Sequence, residues 1–124
     1  MLGSARIMAF VSTSNPPQAL AFYRDVLGLK LEEESPYALA FDCGGTMLRV
    51  QIVKKATVAP YTALGWQVKD IAATIKKLNK AGVAMERFPG MEQDKLGAWS
   101  PGGTTKVAWF KDPQGHILSL TQFS

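Results

Sequence analysis

Few side chains in this sequence have the chemistry to act on a small molecule, and most of them stand at alternating positions of apolar runs. Arg49, in Leu48-Arg49-Val50-Gln51, carries a guanidinium that can hold a carboxylate, phosphate or enolate through two parallel bonds. The alternative is a partner within the chain, Asp42 or a glutamate, because a buried unpaired guanidinium is costly. Ser119 and Thr121 alternate with Leu118 and Leu120, which places hydroxyls on one face of a strand and leucines on the other. Gln51 and Gln67 offer amides from two other apolar runs. Trp99 lies in Gly97-Ala98-Trp99-Ser100-Pro101-Gly102-Gly103, where a bulky ring among flexible neighbours can close over a ligand, anchor the loop or fill a dimer interface. Glu92 and Asp94 are the carboxylates near that loop, and no spacing makes either a catalytic base. The single histidine, His116, falls in a turn and is expected to be exposed. The single cysteine, Cys43, beside Gly44-Gly45, is expected to be a small buried apolar residue rather than a nucleophile.

The elements that position these groups read clearly around Asp112-Pro113-Gln114-Gly115. Pro113 presets φ at the second turn position, Asp112 can bond the backbone ahead of it, and Gly115 suits the exit, so a type I turn joins two strands there. Upstream, Arg6 to Ser12 is a β-rich run, and Ser14-Asn15-Pro16-Pro17 supplies a helix cap with prolines in the first turn. Leu20, Tyr23 and Leu27 form an apolar stripe, and Gly28 ends the helix. Lys30 to Glu33, Tyr37 to Asp42 and Thr46 to Val53 follow as strands. The order then restarts: strand 63–68, a helix from Ile71 to Lys80 capped by Asp70 and ended by Gly82, and strands at 83–87, 106–110 and 116–122. The Gly-rich stretch 88–105 reads as a long loop, with a short strand at most around 96–100. This strand, helix and three-strand order, repeated at an interval of roughly 55 to 60 residues, is an internal duplication with little identity between copies. Module one covers about 5–54 and module two about 61–123 of a single α+β domain.

Composition narrows the classes. A 124-residue chain with 47% hydrophobic and 19% charged residues has the makeup of an ordinary globular domain. No apolar run approaches the roughly 20 residues that span a bilayer, and the first residues lack a secretory pattern, so a cytoplasmic protein without membrane contact is expected. The net charge of +4 is spread through Lys54-Lys55, Lys76-Lys77 and Lys80 and opposed by Glu32-Glu33-Glu34. Basic residues arranged this way are solvated faces, and no nucleic-acid recognition motif accompanies them.

Ala21-Phe22-Tyr23-Arg24-Asp25-Val26-Leu27-Gly28-Leu29, with Phe110-Lys111-Asp112-Pro113-Gln114-Gly115-His116, closely resembles the vicinal oxygen chelate superfamily, which includes glyoxalase I, extradiol dioxygenases and bleomycin-resistance proteins. The resemblance covers nearly the whole chain. It implies two βαβββ modules whose curved mixed sheets form a cleft, often completed by homodimerisation. It also implies a divalent metal held by one residue from the first and one from the last strand of each module. In this sequence those positions fall on Met8, Arg49, Ala63 and Ser119. A thioether, a guanidinium, a methyl and a neutral hydroxyl are poor ligands for a first-row metal, and Arg49 would repel one. The expectation is therefore metal-independent binding of a small, anionic or apolar organic molecule, with no cofactor, in a site formed by Met8, Arg49, Gln51, Ala63, Gln67, Trp99 and Ser119. The alternative is a lyase or oxidoreductase of the glyoxalase or dioxygenase kind, using a metal or a metal-free site.

Overall fold

The structure, a computed structural model, describes residues 1–124. The chain divides into two compact units, 1–58 and 59–124. Unit one contains β1 (Met8–Thr13), a helix α1 (Pro16–Leu20) that widens into π geometry over Ala21–Val26, β2 (Lys30–Glu34), β3 (Ala38–Cys43) and β4 (Thr46–Ile52). Its sheet has the order β1-β4-β3-β2, with β1 parallel to β4 and the other pairs antiparallel. Unit two contains β5 (Thr62–Gln67), α2 (Ile71–Lys80), β6 (Trp99–Gly102), β7 (Thr105–Lys111) and β8 (Ile117–Gln122). Its sheet order, β5-β8-β7-β6, repeats the first, with β5 parallel to β8. The α+β class and the duplicated βαβββ order are as the sequence implies.

Local chemistry accounts for the helices. The Asn15 side chain accepts from Gln18 N–H at 3.2 Å, and Pro16 and Pro17 occupy positions where no intrahelical donor is needed. Asp70 caps α2 by accepting from Ala73 N–H at 3.0 Å. Gly28 and Gly82 take φ of 76° and 90° just past the helix ends, where a Cβ would be strained.

Each unit has its own core. In unit one, Phe22 and Tyr23 meet edge to face at 5.2 Å, and Tyr23 lies 6.0 Å from Phe41, which is wholly buried with Leu39, Leu48 and Val50. In unit two, Ile71, Ile75 and Leu78 of α2 are buried, as are Ala108, Phe110, Leu118 and Leu120 of the sheet, and Trp66 stacks on Phe110 at 6.4 Å. Trp66 thus belongs to the helix-facing side, as its parity with Val68 implies.

The structure departs from the sequence reading at three places in these elements. Residues 83–87 form no strand: Glu86 N–H makes one bond to the Trp109 carbonyl at 2.8 Å, while the Gln93 side-chain amide takes the Glu86 carbonyl, and the fourth strand of the sheet is Trp99–Gly102. His116 is buried at 5% exposure, not exposed in a turn. One Asp112 carboxylate oxygen accepts from the N–H groups of Gln114, Gly115 and His116 at 3.0, 2.9 and 2.8 Å, and this convergence fixes the backbone of the turn up to His116. Cys43 is half-buried at the end of β3 rather than enclosed. Replacing Asp112 with Ala removes the common acceptor of three backbone donors, and a loss of about 2 kcal/mol is expected in chemical denaturation.

Candidate functional site

Strand alternation assigns each sheet a helix-covered face and an open face. On β1 and β4 the register pairs Met8 with Met47, Phe10 with Arg49 and Ser12 with Gln51, and these residues share the open face of unit one. Their side-chain environment is apolar but not closed: Met8, Phe10 and Met47 are 45%, 50% and 37% exposed. Arg49 is half-buried among them, and its cross-strand neighbour on β3 is Ala40, too small to answer its charge.

Arg49 makes no ion pair with Asp42 or with a glutamate, the internal partners that the sequence leaves open for it. Asp42 accepts from Gly45 N–H at 3.1 Å and so closes the β3–β4 turn. The ion pairs of the chain are Arg24–Asp25, Lys30–Glu32 and Lys111–Glu86, and none includes Arg49. An arginine that is half-buried with apolar neighbours and has no internal ion pair has a guanidinium whose donors can take an anion.

On unit two the open face carries Gly65 and Gln67 of β5, Ile117, Ser119 and Thr121 of β8, and Val107 and Trp109 of β7. Ser119 is buried at 8% exposure, opposite both Gly65 and Trp109. A Cβ built on Gly65 would collide with Ser119 Oγ, so glycine is what allows the hydroxyl its place. Gly65→Ala is expected to cost about 1–3 kcal/mol as strain, and pairing it with Ser119→Ala should recover most of that loss, read from the two melting curves.

Ala63 does not occupy the position that alternation gives it. A bulge between Thr62 and Leu64 pairs Thr62 with Ile117 and leaves Ala63 as the extra residue without a ladder partner. Thr62 takes the open-face position, where its hydroxyl accepts from Trp109 Nε1 at 3.2 Å. Gln51 and Gln67 are exposed, and Trp99 is half-buried.

Trp109, which the sequence shows only as part of a β-rich run, is the centre of an aromatic group. Trp99 lies 6.1 Å from it at a 40° tilt, and Phe88 meets it edge to face at 5.5 Å. The register of β6 against β7, Trp99 opposite Val107, places Trp99 on the open face with it. The signal that could have revealed Trp109 is its shared parity with Val107 on the strand before the Asp112 turn.

A separate hollow of about 400 Å³ in unit one is lined by Pro16, Pro17, Leu20, Pro36, Leu39 and Ile52, with Glu34 and Ser35 also on its wall. Leu39 and Ile52 belong to the helix-covered face, so this hollow lies on the other side of the sheet from Arg49.

The chemistry of the side chains at the implied ligand positions does not fit a divalent metal. Met8, Arg49 and Ser119 supply no imidazole or carboxylate, and neither Ala63 nor Thr62 changes that. No group of three or more His, Cys, Asp or Glu residues in the chain is arranged to hold a metal ion.

Comparison with known proteins agrees with this fold and places the chain in a family. Residues 5–120 match the Glyoxalase/Bleomycin resistance protein/Dioxygenase superfamily. The chain belongs to this superfamily. Among its relatives is the "Probable lactoylglutathione lyase" of Vibrio cholerae, 30% identical over an alignment covering 85% of this chain and 80% of that protein. Among solved structures, an antibiotic-binding protein from Streptomyces sp. CB03234 superposes with a TM-score of 0.76 at 24% identity, covering 100% of this chain and 99% of that one. A glyoxalase family protein from Enterococcus faecalis does so with a TM-score of 0.75 at 22% identity, covering 98% of this chain and 99% of that one. At these identities the structural matches speak to the fold. The superfamily membership inferred from the helix motif and the Asp112 turn is thereby shown.

Proposed function

We propose that this chain binds a small organic anion without a metal of its own, and that Arg49 holds the anionic group. The observation that carries this reading is the Arg49 guanidinium, half-buried on an apolar open face with no ion pair inside the chain. Met8, Phe10 and Met47 supply apolar surface for the organic body of the ligand, and Gln51 supplies a neutral hydrogen-bonding group. Ser119, Thr121 and Gln67 offer the corresponding polar groups on the open face of unit two. The protein acts as a homodimer in the cytoplasm, and no helix in it is long and apolar enough to cross a membrane.

The test is a thermal-shift screen over small carboxylates, phosphates and phosphonates of increasing apolar content. Anions with an apolar body should raise the melting temperature, and the rise should persist in excess chelator. Shifts that vanish with the chelator would overturn the metal-independent reading. A second reading, a lyase of the kind named in the Vibrio cholerae relative, is favoured by the 30% identity to that protein. It requires ligands other than Met8, Arg49 and Ser119, and turnover that chelation abolishes would establish it.

A further inference from the structure

The hollow of about 400 Å³ in unit one has walls that local bonds hold in place. Pro16 and Pro17 in the first turn of α1 and Pro36 in the β2–β3 turn contribute to those walls, and proline has a fixed φ. Asn15 N–H donates to Thr13 Oγ1 at 3.0 Å while Asn15 Oδ1 accepts from Gln18 N–H, which sets the entry into α1. Ser35 Oγ accepts from the N–H groups of Tyr37 and Ala38, each at 3.2 Å, and donates to the Ala38 carbonyl at 3.3 Å. Ile52 N–H donates to the Tyr37 carbonyl at 2.8 Å and ties the same turn to β4. Leu39, at 1% exposure, is the most buried of the lining residues. A wall built this way has little freedom to close the hollow, so the space is preformed.

The lining also specifies what fits. Its volume falls within the range of small-molecule sites, about 300 to 1,000 Å³. The Ser35 hydroxyl spends its donor and both acceptor positions inside the turn, which leaves the Glu34 carboxylate as the polar side-chain group open to an occupant. Water held there needs about two to four polar partners, and among proline, leucine and isoleucine side chains it finds one. An apolar body therefore displaces it favourably. The register pairs Glu34 with Leu39, so Glu34 stands on the helix-covered side of the sheet. No lysine or arginine lines the hollow, and Glu34 forms no ion pair. Two cations of the same unit are paired elsewhere: Lys30 with Glu32 at 3.6 Å, and Arg24 with both Asp25 oxygens at 2.8 and 3.3 Å. The Arg24 pKa is raised chiefly by the hydrogen bond and charge of Asp25, and Glu34 adds to this only through its field.

We propose that this hollow is a second binding site, which takes an organic cation with its ammonium group at Glu34 and its apolar body between the first turn of α1 and the sheet. The site lies on the other face of the sheet from Arg49 and does not rest on the anion reading. One four-stranded sheet thereby separates two sites that select opposite charges.

Adamantylmethylammonium, adamantylmethanol and adamantylacetate test this, because they share a rigid, globular, non-aromatic body and differ in the charge of the head group. Methyl NMR distinguishes the two faces: Leu20, Leu39 and Ile52 report the hollow, and Met8 and Met47 report the open face. The ammonium should shift the Leu20, Leu39 and Ile52 methyls saturably, with an affinity about three- to fivefold above that of the alcohol, a margin set by the exposure of Glu34. The acetate should bind there more weakly than the alcohol. Glu34→Gln changes an exposed side chain that has no internal bond to lose. It should bring the ammonium down to the affinity of the alcohol and leave the alcohol unchanged. Ammonium shifts confined to Met8 and Met47, equal affinities of ammonium and alcohol in the parent protein, or an ammonium preference that survives in Glu34→Gln would each overturn the proposal. Failure of the anion reading would instead show as Met8 and Met47 methyls unmoved by the acetate, so the two failures are separate.

Discussion

Arg49→Met should weaken binding of a small organic anion by about 1 to 3 kcal/mol, roughly five- to 150-fold, with little change in melting temperature. The size follows from losing a charge-assisted, two-bond contact while keeping an apolar stem of similar length. The small effect on folding follows because Arg49 has no ion pair to lose, and its neighbours Phe10, Met47 and Ala40 accept a thioether without strain. Arg49→Lys separates charge from geometry. An ammonium keeps the positive charge but not the planar fork, so affinity should fall between those of the parent and the methionine variant. Titration calorimetry of all three proteins with one anion from the thermal-shift screen measures this order. Equal affinities would remove Arg49 from the site.

Phe41→Ala should have the largest effect on stability, about 3–5 kcal/mol. Its ring is fully buried on β3, 6.0 Å from Tyr23 and beside Leu39 and Leu48, so truncation removes apolar burial and leaves a cavity that the sheet cannot collapse to fill. Domains of this kind are stable by about 5–15 kcal/mol, so much of the reserve of unit one would be lost. Urea denaturation followed by far-ultraviolet dichroism reads the change in midpoint. A loss below about 1 kcal/mol would contradict the packing described for that unit.

The two halves of the duplication were legible because their ends are written in local chemistry. Asn15 and Asp70 as helix caps, Gly28 and Gly82 as stops, and the Asp112 turn each act within a few residues, and each makes the contact its type implies. Strand parity was legible for the same reason, placing Arg49 with Met8 and Met47, and Ser119 with Thr121. What escaped the sequence depends on distant pairings. Residues 83–87 look like a strand, but the Gln93 amide intercepts the Glu86 carbonyl and Trp99–Gly102 is the strand that pairs with β7. The bulge that moves Thr62 into the place of Ala63 inserts one residue against β8, which alternation alone does not show. His116 is buried, with its backbone N–H bonded to the Asp112 carboxylate along with those of Gln114 and Gly115, and composition shows neither. The Arg49 guanidinium was a choice between an internal and an external anion. In the structure Asp42 accepts from Gly45 N–H and no ion pair includes Arg49, which supports the proposal of an external one.

The central claim is anion binding at Arg49 by a protein that needs no metal. Native mass spectrometry of the protein as purified tests it most directly, because one spectrum reports subunit number, bound metal and any retained organic molecule. The account predicts a dimer with no stoichiometric divalent metal, to which an added apolar anion binds in the parent protein and much less in Arg49→Met. One divalent metal per subunit, lost together with anion binding on chelation, would contradict it.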